Sequence, residues 1–329
     1  MDDMSKRVSF HDLLPPMHSM RDEVLSGLAQ PQKQIQPKLF YDARGCKLFE
    51  AICGLPEYYP TRAELAIMRS HAQAMADGLG PDCAVIEIGC GNSEKTRLLL
   101  NALRPVEFVP VDIAREQLET SCNTLSQSFP DMNIVALRAY FAQPVALPVA
   151  ILRQARRRIL YFPGSTIGNF TPAEARTFLE RWATALGPGG GALVGVDLKK
   201  DTALLNAAYN DAQGVTAEFN LNLLTRLNRE FGATFDLGAF RHRAFYHSGH
   251  SRIEMHLVSV TDQRVTICGR KFEFRAGEAI HTENSYKYSI SEFHDLGRVA
   301  GFVPVQCWTD EYNLFSVHYF TLPRRNGLE

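Results

Sequence analysis

Residues 85–97 read Val-Ile-Glu-Ile-Gly-Cys-Gly-Asn-Ser-Glu-Lys-Thr-Arg. This stretch predicts a strand, a glycine turn and a helix start. Cys83 to Ile88 is a short, mostly apolar run of β-type residues that reaches an acid at Glu87. Gly89 and Gly91 let the backbone turn sharply and approach a ligand closely. Asn92 or Ser93 is placed to cap a helix over 94–103. A second strand, Glu107-Phe-Val-Pro-Val-Asp112, follows and also ends in an acid. A glycine turn after one strand and a carboxylate after the next form an adenosine-type pocket, with Asp112 accepting from ribose hydroxyls.

Outward from that unit, strands and helices alternate from 83 to 197. Helices are expected over 63–79, 115–129, 148–157 and from Thr171 or Pro172 to 186; further strands over 133–138, 159–162 and 192–197. The alternation implies a parallel sheet covered by helices on both faces. Ligands of such sheets bind at the carboxyl ends of the strands. The segments to read for chemistry are therefore Gly89 to Asn92, Asp112, Tyr140-Phe141, Gly164 to Asn169, and Asp197. After Asp201 the pattern changes. Residues 204–231 read as one or two helices, and 240–261, 264–274 and 279–288 as antiparallel strands, an α+β block inserted into the first domain. A helix over 290–300 and a strand pair over 303–309 and 314–322 close the chain. A strand pair appended to a parallel series is the layout of S-adenosylmethionine-dependent methyltransferases. A nicotinamide-binding loop more often reads G-x-G-x-x-G, and here the third glycine position is Glu94.

Composition excludes several other classes. The chain has 329 residues, with 45% hydrophobic and 22% charged, ordinary for a globular protein of one or two domains. A net charge of −1 gives no electrostatic footprint for nucleic acid or an anionic membrane. The run Arg156-Arg157-Arg158 reads as a solvated face. There is no run of about 18 apolar residues to cross a membrane, and the N-terminus lacks a signal-peptide layout. Seven cysteines without CxxC spacing point to reduced thiols in a cytoplasm, with no disulfide framework and no metal site. A monomer is expected.

The N-terminal sixth reads differently. Residues 1 to 16 are polar and broken by Pro15-Pro16, a loosely held arm. A helix is expected over 17–28. Leu39 to Phe49 and Leu55 to Arg62 gather aromatics and prolines, either a loop over a hydrophobic cluster or a pocket wall, before helix resumes at Arg62.

Nearly the whole chain, 20 to 322, closely resembles the histidine Nα-methyltransferases of ergothioneine biosynthesis. The resemblance rests on Phe40-Tyr-Asp42, Leu55-Pro-Glu-Tyr-Tyr-Pro-Thr-Arg62, Ser93-Glu-Lys-Thr-Arg97, Gly164-Ser-Thr-Ile-Gly-Asn169, Ala208-Tyr209, Gly214-Val-Thr216, Arg252-Ile-Glu-Met255 and Thr282-Glu-Asn-Ser285. It implies an α/β fold, a Rossmann-like class I methyltransferase core with an inserted α+β substrate-binding domain. The expected division is 1–62 and 199–289 for the substrate-binding domain, and 63–198 and 290–329 for the core. It implies three methyl transfers from S-adenosyl-L-methionine to the α-amine of L-histidine, giving hercynine.

By the same resemblance, Gly89, Lys95, Asp112, Tyr140 and Phe141 contact the cofactor. Tyr41 and Tyr58 are catalytic, and Tyr58, Asn169, Tyr209, Met255, Glu283 and Ser285 bind substrate. The residue chemistry agrees. An amino-acid carboxylate suits neutral donors such as Asn169 and Tyr209. An imidazole N–H suits Glu283, with Ser285 opposite. Aromatic faces at Tyr41, Phe49 and Tyr58 suit a sulfonium and a growing ammonium. Each residue has a plainer reading: Tyr209 and Met255 as core filling, Glu283 and Lys95 as solvated surface. Relatives commonly carry an acid where this chain has Tyr140, and often Trp at Leu39. The rival readings are the same scaffold acting on another amino acid such as tryptophan, and a non-catalytic S-adenosylmethionine-binding partner protein.

Overall fold

The computed structural model describes residues 8–14, 17–91, 94–141 and 155–324. Its strands are β1 (Val8–Asp12), β2 (Cys83–Ile88), β3 (Glu107–Asp112), β4 (Asn133–Arg138), β5 (Arg157–Phe162), β6 (Gly191–Asp197), β7 (Phe240–His247), β8 (Arg252–Ser259), β9 (Gln263–Ile267), β10 (Arg270–Phe274), β11 (Ala279–Tyr286), β12 (Val303–Thr309) and β13 (Phe315–Thr321). Its α-helices are α1 (Met17–Leu28), α2 (Ala43–Cys53), α3 (Tyr59–Leu79), α4 (Glu94–Leu103), α5 (Arg115–Ser128), α6 (Pro172–Leu186), α7 (Thr202–Ala208), α8 (Val215–Phe231) and α9 (Ile290–Val299). The chain divides into two compact units. One comprises the described residues within Met1–Leu14, Pro60–Lys199 and Lys287–Glu329; the other comprises those within Pro15–Tyr59 and Lys200–Tyr286.

The first unit is built on an eight-stranded sheet in the order β1-β4-β3-β2-β5-β6-β13-β12. Strands β1 to β6 run parallel, β13 pairs antiparallel with β6, and β12 pairs antiparallel with β13. Every residue of β2 and of β6 is buried, as expected of central parallel strands whose faces are both covered. This is the class I methyltransferase core: a parallel series closed by an antiparallel final strand. Helix α6 begins where the sequence predicts, because Thr171 and Glu174 form a capping box around Pro172.

Three expectations change. Residues 8–14 of the N-terminal segment are no loose arm, since Val8–Asp12 pairs in parallel with β4, Leu13 N–H donates to the Arg138 carbonyl, and Arg138 pairs with Asp12. The assignment of 1–62 as a whole to the substrate-binding domain therefore fails for residues 8–14. Second, the aromatic stretch before the core is largely helical, as α2, and α3 starts at Tyr59, ahead of the expected Arg62. Third, β5 opens at Arg157, two residues earlier than expected. The expected helix over 148–157 and the caps Asn92 and Ser93 fall wholly or mostly outside the described residues.

The second unit pairs a three-stranded antiparallel sheet, β11-β8-β7, with a β9–β10 hairpin. The expected helical stretch resolves into two helices, α7 and α8, joined at Gly214. Asp211 caps α8 by accepting from the backbone N–H of Val215 and Thr216. Asp42 caps α2 through Gly45 N–H and also accepts from Asn222 and Arg229 of α8, tying the two helices together. Those contacts outweigh burial and hold its carboxyl below the ordinary range.

Candidate active site

The glycine turn leaves β2 with φ of 75° at Gly89 and 41° at Gly91. A Cβ at either position would meet nothing within 4 Å, so backbone conformation rather than crowding demands glycine there. The turn is pinned from the next strand. Asp112, at the end of β3, accepts from Cys90 N–H at 3.1 Å and from Ala114 N–H at 2.9 Å. Burial raises the Asp112 carboxyl above its usual range, against the pull of those N–H groups. The Cys90 thiol also lies 3.7 Å from Asp112 Oδ2, so the carboxylate gathers the turn from both its backbone and its side chain.

Glu87 lies behind the turn. It is 1% exposed, accepts from the Thr96 hydroxyl at 2.6 Å, and its Oε2 is buried with no hydrogen-bond partner among the described residues. Burial pushes its carboxyl up to about 8. Lys95, at the start of α4, pairs with Glu64 of α3. Glu64 is itself 1% exposed and accepts from Gly164 N–H with both oxygens, at 3.0 and 2.9 Å. Glu64 therefore joins the helix after the glycine turn to the loop after β5. That loop carries Asn169 at the end of the 3-10 turn Thr166–Asn169, preceded by Ser165 at φ 58°. Ser165 holds its unusual conformation while its Oγ accepts from Asp197 N–H. Tyr140 and Phe141 follow β4 with ring centroids 6.0 Å apart, and Phe141 packs edge-on against Phe162 and Phe170. No spacing rule pointed to Glu64, whose partners lie 31 and 100 residues away.

The second unit gathers the remaining candidates. Tyr41 packs edge-on against Phe49 and Phe219, Phe49 against Tyr58, and Tyr58 against Tyr209 at 6.2 Å. The Tyr209 hydroxyl is 2.8 Å from Ser285 Oγ and donates to it. The Tyr209 carbonyl meets His242 Nε2 at 2.9 Å, and Asn220 Nδ2 meets His242 Nδ1 at 2.9 Å. An amide NH2 only donates, so Nδ1 accepts and Nε2 carries the proton. Asn220 and His242, which the sequence reading missed, thus fix the backbone at Tyr209. Burial, with Tyr209, Cys53, Glu283 and Tyr41 nearby, lifts the Tyr58 phenol well above its ordinary range.

Glu283 and Ser285 share a face with Met255 because of one irregularity. Residues opposite one another in an antiparallel pair point the same way. Glu283 lies opposite Met255, and Ser285 opposite Ile253, whereas His281 lies opposite His256. A bulge between His281 and Glu283 shifts the register, so Thr282 is the extra residue and the face reverses across it. Met255, Glu283 and Ser285 lie on one side. Arg252, Glu254, His256 and His281 lie on the other, where Arg252 and His256 bond Glu254. Of the expected substrate-binding residues, Tyr58, Tyr209, Met255, Glu283 and Ser285 come together with Tyr41 in this unit. Asn169 belongs to the other unit, with the candidate cofactor residues.

The family of histidine-specific, S-adenosylmethionine-dependent methyltransferases matches residues 20–322. The chain is 41% identical over 298 residues to a histidine N-alpha-methyltransferase of Mycolicibacterium smegmatis, covering 89% of this chain and 91% of that one. It is 39% identical to the histidine N-alpha-methyltransferase of Mycobacterium tuberculosis, covering 91% and 94%. It is 33% identical to ergothioneine biosynthesis protein 1 of Neurospora crassa, covering 86% of this chain and 33% of that longer protein. Among the described residues, no helix is long and apolar enough to cross a membrane.

Proposed function

The chain belongs to the histidine-specific, S-adenosylmethionine-dependent methyltransferases, and on that premise we propose that it methylates the α-amine of L-histidine three times to give hercynine. The observation that carries this reading is the bulged strand β11. It sets Glu283 beside Ser285 on one face, with the Tyr209 hydroxyl bonded to Ser285. An acceptor next to a small hydroxyl matches the two nitrogens of an imidazole and suits an indole less well. The protein acts as a cytoplasmic monomer in this reading, in keeping with seven cysteines that show no CxxC spacing.

The cofactor residues fit their ligand. Open backbone at Gly89 and Gly91 admits a close approach, and Asp112 stands at the end of the next strand, where a carboxylate meets ribose hydroxyls. S-adenosylmethionine, when bound, supplies a methyl group on a sulfonium sulfur. The residues of the chain do the rest. Glu283 accepts from the imidazole N–H, and the Tyr209 hydroxyl, whose single proton goes to Ser285 Oγ, holds Ser285 in place opposite it. Tyr58 stays protonated at any working pH, so it orients the amine as a neutral hydrogen-bond partner rather than taking its proton as a phenolate. The amine attacks only as a free lone pair, so each transfer follows loss of one proton from the ammonium. The aromatic faces of Tyr41, Phe49 and Tyr58 favour the positive charge that accumulates. The quaternary product has no lone pair, and the sequence of transfers stops there.

The test is incubation of the purified protein with S-adenosylmethionine and a panel of amino acids, followed by mass spectrometry. Trimethylated histidine is expected. Product from another amino acid and none from histidine overturns the reading.

A further inference from the structure

A second cluster of ligand-type side chains lies in the first unit, at the opposite end of the strand order from β3 and β4. His294 of α9, Cys307 of β12 and His318 of β13 bring one ring nitrogen each and the sulfur within 4.8 Å of one another. Topology creates the cluster. Cys307 and His318 are direct cross-strand partners and so share a face. Helix α9 packs on β12, and the His294 and His318 rings meet edge to face at 5.1 Å. His318 is fully buried, and among the described residues its Nδ1 makes no hydrogen bond; the buried Nε2 of His294 makes none either. Two imidazole nitrogens stripped of water without partners are a cost that packing alone does not explain.

The rest of the His318 ring is already oriented. Ser316 Oγ donates to the Val196 carbonyl at 3.1 Å and lies 2.9 Å from His318 Nε2. With its proton committed, the hydroxyl oxygen accepts from Nε2–H, which leaves the Nδ1 lone pair bare. An outer hydrogen bond that fixes the tautomer is how proteins prepare a metal-ligating histidine. We propose that His294, Cys307 and His318 form a binding site for a borderline-soft divalent cation of the zinc class, which ties α9 to the two final strands. Nitrogen and thiolate donors select such cations over magnesium or calcium.

Ligand atoms around one tetrahedral zinc stand roughly 3.3–3.8 Å apart, given metal–ligand distances of about 2.0–2.3 Å. The ligand-type atoms of the three side chains lie within 4.8 Å of one another, so they must draw in to hold an ion. His294 and Cys307 are only partly buried, so their side chains have room to close on the ion. On binding, the metal–sulfur bond forms as the thiol proton leaves to solvent. The other histidine cluster, His256 and His281 beside Glu254, also holds an unpartnered imidazole nitrogen, His256 Nδ1, but its carboxylate is already bonded to the Arg252 guanidinium and to His256 Nε2.

The experiment uses the full, tag-free chain stripped with a chelator and titrated with Co2+, then with Zn2+. One equivalent of Co2+ should produce a near-ultraviolet thiolate-to-cobalt band, and Zn2+ should bleach it. Cys307→Ser should abolish the band, and His294→Ala should weaken Co2+ binding at least about tenfold. Zn2+ should raise the Tm of the wild type and of neither variant. Absence of the band at excess Co2+, or a band that either substitution leaves unchanged, overturns the proposal.

Discussion

Glu87 carries a stability signature that one substitution isolates. Its folded carboxyl titrates at about 8, against 4.5 for the free group, because burial penalises the charged form. A raised folded value means the folded state holds the proton more tightly. The stabilising effect is full below about 4.5 and is lost as pH rises through the window to about 8, at up to about 1.4 kcal/mol per unit. Glu107, lifted by burial to about 7, acts in the same direction. Glu87→Gln cannot ionise. The Tm of the variant relative to wild type should therefore climb between about pH 5 and 8 and level off above that. Melting curves of the cofactor-free proteins across that range check it, and a pH-independent difference refutes the assignment. The acid was visible in the sequence as an interruption of an apolar strand. Its environment was not: Thr96 and Lys95 are near in sequence, but Glu64 and Asp112 reach it only through the fold.

At the scale of elements, the parallel βα series was legible because buried parallel strands read as continuous apolar runs and glycine turns end them. The end of α3 and the start of α6 were legible for similar local reasons. Helix α2 was not, because Ala43 to Cys53 mixes a glycine, two cysteines and one aromatic and takes its stability from Asp42 and from packing on α8. Nor was the bulge in β11. Plain alternation places His281, Glu283 and Ser285 on one face, whereas the shifted register separates His281 from the other two. Two substitutions two residues apart should therefore differ sharply. Glu283→Ala should lower kcat/KM for histidine roughly ten- to a hundredfold, the worth of a charged hydrogen bond of about 1.5–3 kcal/mol. His281→Ala should change it by no more than about twofold. Steady-state kinetics at saturating S-adenosylmethionine measure both, and equal effects of the two would refute the face assignment.

At the scale of the whole molecule, the insertion is legible as a change of pattern after Asp201, but its anchoring is not. The chain leaves and re-enters the first unit through adjacent strands of backbone: Lys199 N–H donates to the Tyr288 carbonyl, and Tyr288 N–H to the Asp197 carbonyl. Beside them Asp197 and Lys287, each with a side chain 1% exposed, form an ion pair at 2.6 Å. Removing one partner of such a pair leaves a buried charge, so Lys287→Met should cost about 3–5 kcal/mol, and adding Asp197→Leu should recover most of it. Urea unfolding of the single and double variants tests this, and an undiminished single variant counts against it.

The N-terminus gives the sharper test of how the chain is divided, because the sequence assigns residues 1–62 to substrate binding while β1 extends the core sheet. The pattern VSFHD is short and half exposed, with partners about 126 residues away, so no local signal marks it as a strand. Deleting residues 1–14 would bare the edge of β4, an exposed ladder prone to pairing with other chains. It would also remove Asp12 from Arg138 and Phe10 from beneath Arg115. Strand β4 runs directly into Tyr140 and Phe141, the candidate cofactor contacts. The truncated protein should therefore show a lower Tm, a greater tendency to aggregate and weaker S-adenosylmethionine binding by calorimetry, with the KM for histidine nearly unchanged. A raised histidine KM at wild-type cofactor affinity would instead return residues 8–14 to the substrate-binding side.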